Sequence, residues 1–471
     1  MNTTELGYTS ATNLARMIRA KDISPREIVT ALLDRIERIN PKINAYCTIA
    51  AEQAVRAAED AERALMKGEE MGPLHGIPVS VKDLTPTRGI RTTFGSRMYY
   101  DHIPDEDALV VRRLKKAGAV IMGKTNTPEF GAGMNATNKI FGTTLNPWDL
   151  TRTSGGSSGG AAAALAAGLG PLAEGSDLGG SLRIPASFCG VIGFRTTPGL
   201  IPKYPTAWAW DGFSVTGPMA RTVSDTALML SVMAGPNDLA PMSLPDTGIS
   251  FVKALEGTCK GWRAAWSPDL GGICKVDTEV ARLCESAARK FEDLGVHIEE
   301  ASPDLHDAAE IISPLRVFRT AALNADLLEN LEGIDNPLFK QYLRLVKDTT
   351  LMEVAEAERK RTALWSRVHA FFEKYDLLLC PTTSTPAFGA DEFYPAEIDG
   401  EPIERPFEGV LLTYALTITT LPVMSVPAGW TETGLPVGLQ IIGKRFGEGM
   451  VLKAAANLEK AAPWAQRRPR L

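Results

Sequence analysis

Two clusters of glycine and serine lie close together in the chain and contain the residues best suited to covalent chemistry. The first is GGSSGG at residues 155–160, and the second is DLGGS at residues 177–181, with an alanine-rich run between them. Glycine costs backbone entropy, so it is used where the chain bends sharply or where another group approaches its amides. The simplest chemistry for such clusters is a serine nucleophile surrounded by backbone N–H groups that stabilise an oxyanion.

These clusters belong to a longer set of motifs that resembles the amidase signature family of serine hydrolases. The resemblance extends over nearly the whole chain. It is carried by GIPVSVKD at 76–83, GKTN at 123–126, GGSSGG at 155–160, GSDLGGSLRIPASFCG at 175–190, GPMART at 217–222 and GLPVGLQ at 434–440. Any one of these motifs alone would be a weak signal, but together they are specific.

The resemblance implies a catalytic triad of the Ser–cis-Ser–Lys type. By motif position, Ser181 resembles the nucleophile, Ser157 the serine that follows a cis peptide bond, and Lys82 the base. In the same reading, an oxyanion hole is formed by backbone N–H groups. These belong to Leu178, Gly179, Gly180 and Ser181.

A lysine can act as a base only when its amine is neutral. The ordinary lysine pKa of about 10.4 leaves almost none of it neutral at pH 7, but burial lowers that pKa by up to several units. We therefore predict that Lys82 is desolvated, hydrogen-bonded to Ser157 and largely neutral. Ser157 would relay a proton from Ser181 to Lys82 and later return one to the leaving amine. This chemistry needs no cofactor and no metal.

Two further segments are predicted to bind substrate. One loop follows a predicted strand end, where α/β folds tend to place ligands. A second, proline- and glycine-flanked loop carries two tryptophans that could form an aromatic wall. For the apolar residues of both loops, core filling is an equally good explanation. The candidate residues are Phe130, Gly131, Ala132, Gly133, Met134, Trp208 and Trp210. The tryptophans favour an apolar or aryl amide, with carbamates (urethanes) and esters as further possibilities.

The elements around these residues predict an α/β fold. Apolar residues alternate at 77, 79 and 81, which indicates a strand that ends near Lys82. Strands and helices alternate after it, and we predict a mixed central sheet covered by helices on both faces. The chain is interpreted as a single domain over 1–471. Within it we distinguish an N-terminal helical layer (1–70), a signature core with the triad (72–225), a variable substrate-shaping region (236–415) and a C-terminal part of the core (416–471).

Composition narrows the class of protein and its partners. A formal net charge of −6 disfavours a general nucleic-acid binder. Six scattered cysteines without CxxC spacing, and five histidines with no i,i+4 pair, disfavour a metal site. The N-terminus has no signal-peptide pattern. We predict a cytoplasmic monomer or homodimer that acts on a small-molecule amide or carbamate, without nucleic-acid or membrane partners.

Four alternative interpretations remain beside this one. Residues 156–160 match G-x-S-x-G with Ser158 as nucleophile, but that motif needs an apolar strand before it and residues 146–152 predict none. A phosphate-binding loop would need a lysine after the glycines, which is absent. A glutamine amidotransferase subunit of a tRNA-dependent complex would resemble the same family. A non-catalytic binding protein on the same fold is the alternative from a different class.

Overall fold

A large mixed β-sheet forms the centre of the molecule. The computed structural model describes residues 2–403 and 408–471. Within them, eleven strands form this sheet. In chain order they are β1 Tyr46–Ile49, β2 Pro78–Lys82, β3 Val120–Thr125, β4 Leu172–Asp177, β5 Ile192–Arg195, β6 Val215–Ala220, β7 Arg263–Trp266, β8 His297–Glu300, β9 Leu377–Pro381, β10 Val423–Trp430 and β11 Pro436–Gly443.

The strands follow the spatial order β1-β3-β2-β4-β6-β5-β10-β11-β9-β7-β8. Two runs are parallel, β3-β2-β4 and β9-β7-β8, and antiparallel pairs join them through the middle of the sheet. Every residue of β2, β3, β6, β9 and β11 is buried. Strands buried on both faces require cover on both sides, and the helices provide it.

Fourteen α-helices are formed by the described residues. In chain order they are α1 Thr3–Tyr8, α2 Ala11–Arg19, α3 Pro25–Ile43, α4 Ala51–Lys67, α5 Leu109–Lys116, α6 Gly159–Ala166, α7 Arg183–Cys189, α8 Val223–Met233, α9 Thr278–Asp293, α10 Ala308–Leu323, α11 Pro337–Asp348, α12 Leu351–Lys374, α13 Leu411–Thr417 and α14 Glu448–Ala461. This architecture is the single α/β domain that the sequence predicts. None of the helices in the described part of the chain is long and apolar enough to cross a membrane.

The structure departs from the local predictions in a few places. The pair Asn40-Pro41 predicts the end of the helix that starts at Ser24-Pro25, but α3 continues to Ile43. The Asn40 side chain accepts the N–H groups of Ala45 and Tyr46 beyond the helix end. The N-terminal region also contributes the edge strand β1 rather than helices alone. A strand does precede the first glycine cluster, at Asp149–Thr153, contrary to prediction. It is polar and largely exposed, and it lies outside the central sheet, in a small ribbon with residues 145–146 and with a single bridge to Gly389.

Candidate active site

Lys82 is held at the edge of the sheet where two parallel strands end. It is the last residue of β2, and its neighbour β4 ends at Asp177, immediately before the second glycine-serine cluster. Carboxyl ends of adjacent parallel strands lie at the same edge of a sheet, where α/β folds bind ligands. The Lys82 N–H donates to Glu174 Oε2 of β4 at 3.0 Å, which ties the two strand ends together.

Ser157 reaches the same edge from the loop that precedes α6. The peptide bond between Gly156 and Ser157 is cis. The Gly156 Cα is so close to its neighbours that an added Cβ would lie 2.8 Å from the Gly133 carbonyl oxygen. Gly131 adopts a φ of +71°, and a Cβ there would be 3.4 Å from Ser157 Oγ. The predicted loop around residue 131 therefore packs directly against Ser157.

The amine of Lys82 lies within hydrogen-bond distance of three hydroxyl groups. Its Nζ is 2.7 Å from Ser157 Oγ, 2.8 Å from Ser158 Oγ and 3.1 Å from Ser176 Oγ. The lysine side chain is fully buried. Ser158 Oγ in turn donates to the Ser176 carbonyl oxygen at 3.3 Å. A neutral amine has two N–H donors and one lone pair, so it can donate to two of these hydroxyls and accept from the third.

The surroundings of Lys82 favour its neutral form. Burial lowers the pKa of Lys82 from its ordinary value to about 7, and the buried carboxylates of Glu174 and Asp177 limit the fall. Lys203 contributes a smaller effect in the same direction as burial. Desolvation penalises the charged ammonium because its hydration is lost. Near pH 7 a large fraction of Lys82 is therefore able to accept a proton.

Ser181 follows β4 in the segment predicted to hold an oxyanion hole. The backbone N–H groups of Leu178, Gly179 and Ser181 donate to no acceptor within residues 2–403 and 408–471. Gly180 differs, because its N–H donates to Asp177 Oδ1 at 2.9 Å. The prediction that Gly180 contributes a fourth donor is therefore wrong for this structure. The Asp177 carboxylate accepts that N–H, and this hydrogen bond stabilises the turn.

Buried ion pairs of Asp177 fix the position of this turn. Its carboxylate pairs with Arg183 at 3.0 Å and with Arg195 at 3.4 Å, and all three side chains are fully buried. Burial by itself would raise the pKa of Asp177, but the two guanidinium groups outweigh burial and lower it. Arg183 also donates to the Thr413 carbonyl oxygen and to the Gln440 side chain, which lie far along the chain. The second cluster is thereby fastened to the C-terminal part of the sheet.

Replacing Asp177 by asparagine is expected to destabilise the fold by about 3–5 kcal/mol, because two buried guanidinium groups lose their counter-charge. The measurement is the free energy of unfolding in urea. The matched control is Asp149→Asn, which breaks an Asp–Arg pair whose side chains are more than 40% exposed and should cost less than about 1 kcal/mol. Equal losses from the two substitutions would contradict this role for Asp177.

Ser157 and Ser181 open into the same cavity, which has a volume of about 560 Å³. One part of its lining is aromatic and apolar, formed by Leu84, Pro86, Phe94, Tyr99, Phe130 and Phe339. Another part is polar and includes Lys203, Asp211, Arg316, Arg319 and Asn324. A volume of this size suits a small organic molecule with one or two ring-sized groups.

The predicted substrate residues separate into two groups. Phe130 and Gly131 line the cavity. Ala132 and Met134 are buried in apolar clusters beside it, and Gly133 packs on the cis peptide.

Neither Trp208 nor Trp210 lines this cavity. Trp208 packs edge-to-face on Phe318 with ring centroids 5.5 Å apart, and Trp210 is 63% exposed. Both rings line a separate groove of about 320 Å³. The cavity instead receives residues 205–207 of the same loop. The prediction of a tryptophan wall is therefore replaced by the cluster of Phe94, Tyr99, Phe130 and Phe339.

Several residues of the site were not predicted from the sequence. Ser176 and Glu174 both lie on β4, just before the second cluster, so their position at the strand end was available as a signal. Arg316 and Phe339 come from α10 and α11, whose periodicity marks only helices. Their approach to Ser181 depends on how those helices pack.

A sheet edge that brings a buried lysine, serine hydroxyls and free backbone amides to one cavity is the site expected of an α/β hydrolase. Comparisons with known proteins agree. The family model described as Amidase matches residues 27–452. An acylamidase of Rhodococcus erythropolis is 40% identical over 471 residues, covering 100% of this chain and 98% of that protein.

A glutamyl-tRNA(Gln) amidotransferase subunit of Moorella thermoacetica is 37% identical, and the match covers 99% of each chain. Among solved structures, a bacterial aryl acylamidase of the amidase signature family superposes with a TM-score of 0.91. It is 30% identical, and the match covers 98% of this chain and 97% of that one. The chain belongs to the amidase signature family and is an amide-hydrolysing enzyme.

Proposed function

We propose that this enzyme hydrolyses apolar or aryl amides through an acyl-enzyme on Ser181, with Ser157 as proton relay and Lys82 as base. The observation that carries the proposal is the buried Lys82 amine 2.7 Å from Ser157 Oγ, beneath the cavity that Ser181 lines. The likeness to an acylamidase and to an aryl acylamidase supports the substrate class.

In the proposed reaction, Ser181 Oγ attacks the amide carbonyl carbon. Its proton passes to Ser157 Oγ, whose own proton passes to the neutral Lys82 Nζ. The oxyanion is stabilised by the free N–H groups of Leu178, Gly179 and Ser181, each of which is worth about 3–4 kcal/mol in comparable sites. The C–N bond then breaks, and Ser157 returns a proton to the departing amine. Water hydrolyses the ester by the same relay.

Ser158 is a poor nucleophile in this arrangement. Its side chain is fully buried, and its hydroxyl is occupied by Lys82 Nζ and the Ser176 carbonyl oxygen. Ser181, in contrast, is partly exposed and faces the cavity. The burial of Ser158 argues against the G-x-S-x-G interpretation.

The test is arylamine release from a matched pair, an anilide and an alkyl carbamate of the same aniline. We expect the wild-type enzyme to release aniline from the anilide faster than from the carbamate. A reversed ratio would assign the enzyme to urethane hydrolysis, and release from neither substrate by folded protein would overturn the proposal.

A second candidate function is the glutaminase reaction of an amidotransferase. It is favoured by the 37% identity to an amidotransferase subunit over almost the entire length of both chains. The same assay separates the two functions when glutamine is included. Ammonia release from glutamine, without arylamine release from the anilide, would favour the amidotransferase role.

The aromatic wall gives a further prediction for aryl substrates. Phe130 contacts Phe339 with ring centroids 4.8 Å apart and Tyr99 at 6.2 Å. Phe130→Ala is expected to lower kcat/KM for anilides about tenfold, because an aromatic pair contributes up to about 1.5 kcal/mol. Trp210→Ala, which removes an exposed ring outside the cavity, is the control and should change it less than about twofold. A larger effect of Trp210 than of Phe130 would restore the tryptophan wall.

A further inference from the structure

The polar part of the cavity lining carries an excess of positive charge. Among the described residues, Lys203, Arg316 and Arg319 line it together with one carboxylate, that of Asp211. Arg319 is neutralised directly, because its Nε and Nη2 both lie 2.9 Å from Asp211 Oδ2. Lys203 donates to Ser214 Oγ at 2.9 Å, and burial lowers its pKa. The guanidinium of the third cationic residue takes part in neither of these two pairings.

That guanidinium belongs to Arg316. Among the residues that the structure describes, no carboxylate lies within 4.0 Å of it. Its Nη1 donates to Tyr414 Oη at 3.1 Å, and its plane lies over the Tyr342 ring at 4.6 Å and near the Tyr414 ring at 5.9 Å. Two aromatic rings thus orient a planar group with five N–H donors, of which one is used in this way.

Tyr414 also connects Arg316 to the reacting centre. Its ring packs on Gly179 so closely that a Cβ on that glycine would lie 3.1 Å from a ring carbon. Thr413, the preceding residue, donates to the Gly179 carbonyl oxygen at 2.7 Å. Arg316 therefore contacts the hydroxyl end of Tyr414, and Gly179 contacts its ring. The side chain of this one tyrosine separates the guanidinium from the amides proposed to hold the oxyanion. A substrate can span that distance with a few bonds.

We propose that Arg316 binds a carboxylate of the substrate, so that the preferred substrates are amides carrying a carboxylate a few bonds from the scissile carbonyl. This inference rests on the proposed function and narrows it. A planar guanidinium matches a carboxylate with two parallel N–H···O bonds, and such charge-assisted pairs are about twice as strong as neutral ones. The aromatic wall around Phe130 accepts the apolar part of the same molecule.

The experiment compares two matched substrate pairs, so that either side of the scissile bond can carry the charge. Glutaranilic acid is paired with 5-methylhexananilide, in which an isopropyl group replaces the carboxylate. 4-Acetamidobenzoate is paired with 4-isopropylacetanilide. We expect the wild-type enzyme to prefer the carboxylate member of at least one pair. In Arg316→Met that preference, as a ratio of kcat/KM values, should fall about 10- to 100-fold.

Two further variants serve as controls for loss of folding and for a non-specific effect of removing positive charge. Arg316→Lys retains the charge but not the planar fork, and should retain an intermediate preference. Arg359→Met removes an arginine that is 76% exposed on α12 and should leave the preference unchanged.

The possible results of this experiment distinguish failure of the Arg316 inference from failure of the proposed function on which it rests. Hydrolysis of the neutral members without preference for either carboxylate would overturn the role of Arg316 and leave the amidase function standing. A carboxylate preference that survives in Arg316→Met would also overturn it. Failure to hydrolyse any of the four substrates would overturn both.

Discussion

Ser181→Ala is expected to lower arylamine release at least about 10⁴-fold, because removal of a nucleophile from a cooperating triad abolishes the covalent route almost completely. The fold should be retained. Ser181 is partly exposed to the cavity, and the structural bond of this residue is made by its backbone carbonyl oxygen, which accepts the Ser158 N–H at 3.1 Å. Alanine keeps that bond. The measurement is kcat/KM for an anilide, with the circular dichroism spectrum as the check on folding.

Ser214→Ala is the matched control for this variant. Ser214 lines the same cavity but lies beside Lys203, away from the Lys82 amine. It should remain within about tenfold of the wild type, as expected for a residue outside the reacting groups. Mass spectrometry of a rapidly quenched reaction should locate the acyl group on the peptide that contains Ser181. An acyl group on Ser158, or more than 1% residual activity (~10⁻² of wild type) in Ser181→Ala, would contradict the assignment.

Lys82→Met is expected to lower kcat/KM about 10²- to 10⁴-fold, the range that a positioned general base contributes. Methionine has a similar length but cannot accept a proton from Ser157. The fully buried position suits an apolar side chain, although three hydroxyls lose their shared partner. The measurement is again kcat/KM for a neutral anilide. Activity within about threefold of the wild type would exclude Lys82 as the base.

The pH dependence of the wild type tests the same residue without mutation. In the proposed mechanism the active form of Lys82 is the neutral amine, which predominates above its pKa of about 7. Well below that pH, kcat/KM for an uncharged anilide should fall about tenfold per pH unit, and above it the value should level off. A flat profile between about pH 5.5 and 8.5 would contradict a lysine base altogether.

Much of the fold was predictable because it depends on local patterns. The alanine-rich segment 50–67, which is followed by Gly68, predicts a helix, and α4 is found at Ala51–Lys67. The apolar run 377–381 predicts a buried strand, and β9 has these bounds. Apolar periodicity and glycine or proline boundaries operate over a few residues, so a single sequence contains them. The strand Ile192–Arg195 was missed because it is only 4 residues long. The helix Pro337–Asp348 was missed although Asn336-Pro337 is a helix-start signal that the sequence contains.

In the candidate site, too, local motifs predict some features and only the tertiary structure determines the others. Lys82, Ser157 and Ser181 lie in compact motifs, so the sequence alone was enough to select them and to predict a buried lysine beside Ser157. Sequence could not decide that Asp177 occupies the Gly180 N–H, that the tryptophans pack on Phe318, or that Arg316 faces the cavity. These features depend on contacts between segments far apart in the chain, and packing of whole helices against the sheet sets such contacts rather than local propensity.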